Sequence, residues 1–164
     1  MDYEDASVAE DLSEDIPNTV LFNVSHTIVV DGIPKYRIHA QQAETYEKKK
    51  QTILREVLFR ELNQKGEVIT EGWVDSIVYF TDSEDAQMNG NIEFYSATEE
   101  TRIEAESLSW ENKQKILTGA PEETVYLERE AGSNVRGKGF QAELNKKSLR
   151  FAGEVEGEFV EEEE

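Results

Sequence analysis

Residues 102–119, with the sequence RIEAESLSWENKQKILTG, contain a β-hairpin pattern from which the fold class can be predicted. Segment 103–106 alternates apolar with polar side chains, as a half-buried strand does, and Leu108 follows as a further apolar residue. A polar turn over residues 112–115 follows, and a second apolar segment over 116–119 ends at a glycine. The stretch therefore predicts two antiparallel strands joined by a tight turn.

The six-residue pattern at 103–108 occurs four times. It consists of an apolar residue, any residue, a small or acidic residue, any two residues and a second apolar residue. The copies at 38–43, 69–74, 103–108 and 135–140 begin 31, 34 and 32 residues apart. A period near 32 with hairpin content indicates units that bury their apolar faces only by stacking. Stacked hairpins give an elongated core with an exposed strand at each end. The competing interpretation is coincidence among common β patterns.

Turn signals elsewhere in the chain agree with a β fold. Asp31-Gly32 between two β-branched runs is a hairpin signal, and further signals occur at 63–66, 81–85, 89–91, 111–113, 131–134 and 145–147. This spacing predicts an all-β antiparallel sandwich or roll. Residues 40–62 leave an alternative open, because they are rich in Glu, Gln and Lys and could form a helix by propensity. The repeat favours strand there.

Charge divides the chain into three parts. The net charge is −19, from 36 acidic and 17 basic residues, and seven acids fall in each of the segments 1–16 and 154–164, which contain no Lys or Arg. We expect a disordered acidic arm over 1–16, one folded domain over 17–159 and an acidic tail over 160–164. Because contact with phosphates needs clustered Lys and Arg, the composition also argues against a nucleic-acid partner.

The sequence offers little for catalysis or metal binding. It contains no cysteine, so a thiolate zinc site and a cysteine nucleophile are excluded. The two histidines, His26 and His39, lie in no metal-ligand spacing. We therefore predict no catalytic residue, no metal and no cofactor. A jellyroll carbohydrate-active enzyme is the competing class, and it would need exposed aromatic residues and two carboxylates in one cleft.

The run 102–119 resembles the repeat of the lipopolysaccharide-export proteins of the LptC and LptA (OstA-like) families. Segments 135–143 and 149–157 resemble the same repeat, and the resemblance covers about residues 20–159. The length of the folded part and the single RGKGF element at 136–140 favour LptC over LptA. What this resemblance implies is an open antiparallel β-jellyroll, built from repeated hairpins, whose groove receives the acyl chains of a lipid.

The resemblance also implies a function and partners. The chain would be a periplasmic, non-enzymatic conduit that passes lipopolysaccharide or a similar glycolipid along a bridge. Its N-terminal edge would join the jellyroll of an inner-membrane ABC transporter, and its C-terminal edge an LptA-like bridge protein. The N-terminal membrane anchor usual in the family is absent from these residues, and either truncation or the removal of a lipid-bearing cysteine would explain that. Two alternatives remain, an LptA-like soluble bridge protein and a scaffold that only assembles edge to edge.

Strand alternation selects the side chains that would line the groove. These apolar candidates are Ile38, Ala40, Val57, Phe59, Val74, Val78, Phe80, Ile92, Phe94, Ile103, Ala105, Leu108, Ile116, Val125, Leu127, Phe140, Leu149 and Phe151. The competing interpretation is that they fill a closed core. Edge strands accept a strand from another chain, and the candidate edge residues are Val20, Leu21, Phe22 and Val24 at the start and Gly153, Val155, Gly157 and Phe159 at the end.

Overall fold

The computed structural model describes residues 14–130, 132–146 and 148–158, which form one antiparallel sheet of twelve strands. The strands are β1 (Thr19–Val30), β2 (Ile33–Tyr46), β3 (Gln51–Leu62), β4 (Val68–Phe80), β5 (Ala86–Ser96), β6 (Thr101–Glu111), β7 (Ile116–Gly119), β8 (Thr124–Arg129), β9 (Asn134–Lys138), β10 (Phe140–Glu143), β11 (Ser148–Phe151) and β12 (Val155–Glu158), with a 3-10 helix at Leu144–Lys146. The all-β prediction is confirmed, and residues 40–62 form parts of β2 and β3 rather than a helix. Within the described ranges, no helix is long and apolar enough to cross a membrane.

The sheet forks at β6. Strands β1 to β6 pair in chain order, each with the next. The second half of β6 pairs with β7, and that branch continues through β10 to β11. The first half of β6 pairs with β8, and that branch continues through β9 to β12. The two branches therefore extend the two halves of the same bent sheet.

A line of distorted residues crosses the sheet at the bend. Asn23 in β1 and Glu56 in β3 have φ values of +53° and +55°, and Gly90 and Asn91 in β5 have +87° and +44°. The flanking pairs place Asn23 and Glu56 on the two sides of Gln41 in β2. Left-handed residues interrupt the ladder, and such bulges bend strands. We call this line the corner, and the sheet folds along it into two facing layers.

Each layer consists of one half of every long strand together with one branch. Layer 1 holds β8, β9 and β12 and the strand halves that pair in register with them, such as 92–96 and 101–105. Layer 2 holds β7, β10 and β11 and the other halves, such as 86–89 and 107–111. One buried cluster contains residues of both layers, so the layers pack face to face. The open antiparallel β-jellyroll expected from the resemblance is confirmed.

The corner explains the sequence repeat. Residues that face between the layers are two apart within a layer, but three apart across the corner, as in Ala40 and Ala43 or Ala105 and Leu108. The small residue of the repeat thus ends layer 1, and its last apolar residue begins layer 2. Cross-strand pairing aligns the four copies at Ile38, Gly72, Ile103 and Val135. The copy predicted at 69–74 therefore begins three residues before Gly72, the structurally equivalent position.

Some local predictions are corrected. The turn predicted at 89–91 is wrong, because these residues lie within β5 and form its bend. Residues 97–100 form a turn that was not predicted, because this segment contains no Gly or Pro. The C-terminal edge expected over 149–159 is divided into β11 and β12, which pair with different strands. Phe159, the tail 160–164 and most of the arm 1–16 lie outside the described residues.

Candidate functional site

The interior between the layers is lined by apolar side chains in continuous rows. Next to the corner in layer 1, the row is Ala40, Val57, Val74, Ile92 and Ala105, each 7% exposed or less. One step further out, the row is Ile38, Phe59, Gly72, Phe94, Ile103 and Leu127. Its side chains are only partly buried. Layer 1 therefore presents a closed apolar floor at the corner and a half-open apolar wall beside it.

Aromatic rings dominate this wall. Tyr36 and Phe59 stack with their ring centroids 5.6 Å apart. Phe59 and Phe94 meet edge to face at 6.0 Å, although β4 lies between their strands. They can meet because the β4 residue between them is Gly72: a Cβ there would lie 2.0 Å from Cδ1 of Phe94. The Phe94 ring thus occupies the space that a side chain at position 72 would fill.

Layer 2 supplies the opposite wall. Leu54, Ile77, Met88 and Leu108 are successive cross-strand neighbours that continue the interior past the corner. At the far end Phe140 is fully buried, and its ring centroid lies 5.6 Å from that of Phe151. Because both walls and the floor are apolar, a ligand that enters the interior would transfer hydrocarbon out of water, which is favourable by about 25 cal/mol per Å².

The structure places most predicted groove residues on this interior face but not all. Val78, Phe80 and Ile116 lie on the opposite, outer face, because their rows alternate with the interior rows of Ile77, Ala86 and Leu117. The prediction assumed strict alternation along each strand, without the corner, and therefore assigned these three residues to the wrong face. The prediction omitted interior residues of layer 2, namely Ala43, Leu54, Ile77, Met88, Trp110 and Leu117. The sequence signal that would have identified them is the three-residue spacing between the small residue of the repeat and its last apolar residue.

The first strand forms an exposed and uncharged edge. β1 pairs with β2 on one side only among the described residues, and it contains no Lys, Arg, Asp or Glu. Its side chains include Leu21 at 51% and Phe22 at 68% exposure, and Val20 is exposed as well, while Val24 is half-buried. Charged residues normally protect such an edge from pairing. A long edge without them is suited to accept a strand.

The other end of the sheet is short and charged. β11 and β12 have four residues each, and Gly153 lies in the bend that connects them. In β12, Val155 is 52% exposed on the interior face, and Gly157 stands opposite Val135. Glu156 on the outer face accepts hydrogen bonds from Arg136 of the neighbouring strand, the shorter at 2.7 Å. The two ends of the roll therefore differ in length, charge and apolar exposure.

A buried carboxylate lies on the outer face beside β1. Glu44 is 8% exposed and accepts hydrogen bonds from Gln42 Nε2, the Tyr46 hydroxyl and Arg55 Nε, at 2.8, 2.7 and 3.1 Å. The hydrogen bond from Tyr46, followed by that from Arg55, lowers the pKa of Glu44 below its ordinary value of 4.5. The same contact raises the pKa of Tyr46. This network ties β2 to β3 at the start of layer 2.

The described residues show no arrangement typical of metal chemistry. No three His, Asp or Glu residues among them are placed to hold a metal ion. His39 Nδ1 lies 3.0 Å from Ser25 Oγ on the exposed outer face, away from the interior. The chemistry that the interior itself offers is apolar contact.

Comparison with known proteins agrees with this architecture. The solved structure of LptH from Pseudomonas aeruginosa, described as the LptA homologous periplasmic component of the conserved lipopolysaccharide transport device, is similar with a TM-score of 0.55. The match has 12% identity and covers 77% of this chain and 95% of that chain, and at this identity it shows the fold alone. No curated protein sequence matches the chain. The family model for lipopolysaccharide-assembly, LptC-related proteins matches residues 2–160. The chain therefore belongs to the LptC-related family of lipopolysaccharide-assembly proteins.

Proposed function

We propose that this protein is a periplasmic, non-enzymatic conduit that carries lipopolysaccharide or a related glycolipid with its acyl chains between the two layers. One observation carries the proposal: an apolar interior with a partly exposed wall begins at the uncharged edge strand β1 and continues across the sheet. A lipid held by its chains needs apolar area and no charged clamp. The family to which the chain belongs supports lipopolysaccharide as the cargo.

The two ends of the roll would join different partners. An inner-membrane ABC transporter that carries a similar jellyroll would add a strand to β1, and an LptA-like bridge protein would add one to β11 and β12. Strand addition uses main-chain hydrogen bonds for affinity and side-chain pockets for specificity. The contrast between the long neutral edge and the short charged ones supports two different partners rather than one.

The path of the chain before β1 supports tethering at the transporter end. The Asn18 amide donates to the Thr45 carbonyl at 2.8 Å, and the Asn18 side chain accepts from the Glu47 amide at 2.9 Å. Asp15 pairs with Lys49 at 2.7 Å. These contacts hold the entering chain against the turn between β2 and β3. An N-terminal membrane anchor would therefore hold the β1 edge towards the inner membrane.

Paired polar substitutions test whether the interior binds the lipid. Ile38 faces the interior, whereas Leu58 on the adjacent strand faces outward, and both are partly buried. We expect Ile38→Asn to weaken the binding of purified lipopolysaccharide several-fold, because it places an amide in the apolar wall, and Leu58→Asn to leave it unchanged. Binding is measured by fluorescence anisotropy of labelled lipopolysaccharide, after both variants have been shown to be folded.

The same experiment separates the conduit from its alternatives. Equal binding by both variants would place the lipid outside the roll and refute the proposal. If no form binds lipid although the chain still associates through its edges, the scaffold function would apply. Hydrolysis of a glycan by the purified chain would instead establish the enzymatic alternative.

A further inference from the structure

The interior of the roll changes character at β4. On the β1–β3 side, Ala40, Ala43 and Val57 beside the corner are at most 7% exposed, whereas Leu21 at the edge is 51% exposed. On the β5–β10 side, Leu108 and Phe140 are at most 1% exposed. The buried cluster that joins the two layers takes its members from β4 to β10. Buried side chains therefore join the two layers from β4 onwards, whereas the buried residues of β2 and β3 lie outside that cluster and the β1 edge stays exposed.

Phe94 lies at the boundary between these two parts. Its ring covers Gly72, so that a Cβ on the glycine would meet two ring carbons at 2.0 and 2.3 Å. On the β1–β3 side the ring contacts Phe59, with an angle of 85° between the two planes. On the other side Phe94 packs against the buried cluster. One ring thus lies between the β1–β3 part of the interior and the part where buried side chains join the two layers.

We propose that Phe94, seated over Gly72, is the internal barrier of the conduit. An acyl chain that enters beside β1 is held against Phe59 and stops at Phe94, and it advances towards β8 only after the ring has left Gly72. The inference rests on the proposed lipid-carrying function and adds a residue that controls how far the lipid moves. The ring is able to leave because Phe94 is partly exposed and because Gly72 has no side chain to enclose it.

Photo-crosslinking on the two sides of the barrier tests this inference. A photoreactive phenylalanine analogue is placed at Phe59 or at Leu127, which face the same interior from β3 and β8. The full chain is then irradiated with purified lipopolysaccharide, and the ratio of capture at position 127 to capture at position 59 is measured. With the native Phe94 we expect capture mainly at position 59.

Variants at the barrier should change this ratio in a defined way. Phe94→Ala removes the ring, and Gly72→Ala displaces it, so both should raise the ratio several-fold. Phe94→Tyr keeps a ring at the same place and should retain the native ratio. Val78→Ala is the matched control and should retain the native ratio, because it removes a partly buried apolar side chain from the outer face of the strand that carries Gly72.

The possible results distinguish the barrier from the conduit itself. Equal capture at both positions in the native chain would overturn the barrier while leaving the conduit intact. A rise in Val78→Ala as large as in Phe94→Ala would also overturn it, because general loosening would then explain the effect. No capture at either position in any variant would refute the proposed function, on which the barrier depends.

Discussion

Replacement of Gly72 by alanine tests the packing on which the interior wall depends. Gly72 does not adopt a positive φ, so the backbone itself accepts alanine. The new methyl group would lie 2.0 Å from the Phe94 ring and must displace it. Overpacking of this kind costs about 1–3 kcal/mol. Loss of the edge-to-face pair with Phe59 adds about 0.5–1.5 kcal/mol to this cost. Alanine also lowers the conformational entropy of the unfolded chain, which stabilises the folded state by about 0.4–1 kcal/mol.

The net expectation is that Gly72→Ala destabilises the chain by about 0.5–4 kcal/mol. For a protein of this size, each kcal/mol lowers the melting temperature by about 2–4 °C. Urea unfolding followed by the fluorescence of Trp73 and Trp110 gives the free energy, provided that the m-value does not change. The magnitude alone does not identify the cause, so the same substitution is repeated in a Phe94→Ala background.

The double-mutant cycle isolates the contact between the ring and the methyl group. Without the ring, the three atoms nearest to a Cβ at position 72 are gone, so the alanine should be neutral or stabilise the chain by up to about 1 kcal/mol. If Gly72→Ala destabilised both backgrounds equally, the clash with Phe94 would not be its cause. The assignment of Gly72 as the seat of that ring would then be wrong.

Three further predictions concern the core, the buried carboxylate and the edge. Phe140→Ala should cost about 3–5 kcal/mol in urea unfolding, because the side chain is fully buried, whereas Val155→Ala at 52% exposure should change stability by less than about 0.5 kcal/mol; similar costs would contradict the placement of the core. Because folding lowers the pKa of Glu44, its stabilising effect is present above pH 4.5 and is lost as the pH falls through the folded-state value. The stability difference between the native chain and Glu44→Gln should therefore be largest near neutral pH and shrink in acid, and a pH-independent difference would refute this. Thr27→Lys places a charge on the neutral edge strand and should reduce capture of the transporter jellyroll in pull-down assays, with lipid binding unchanged; undiminished capture would show that β1 is not the contact.

The strands and hairpins could be predicted from sequence because local signals encode them. Asp31-Gly32 determines a turn by its chemistry, and the hairpin predicted over 102–119 forms from β6 and β7. The helical propensity of residues 40–62 did not prevail, because cross-strand pairing on both sides stabilises β2 and β3. Here the repeat was a better guide than composition.

The corner could not be predicted from alternation alone. A positive φ at Glu56 has no clear signal in the sequence, since glutamate rarely adopts that conformation. Asn-Gly-Asn at 89–91 is a strong turn signal, yet here it forms a bend within β5. Once the corner shifts the alternation by one residue, Val78 moves to the outer face and Ile77 to the inner one. The groove prediction was consequently more accurate in layer 1 than in layer 2.

The side of the sheet from which lipid is captured distinguishes a lipid path between the layers from one on the outer surface. Phe59 and Leu58 are adjacent in β3 and point to opposite sides of the sheet, so a photoreactive phenylalanine analogue at each position samples the interior and the outer surface of the same strand. With purified lipopolysaccharide and the otherwise native chain, we expect strong capture from position 59 and none above background from position 58. Equal capture from both positions, or capture from position 58 alone, would contradict a lipid path between the layers.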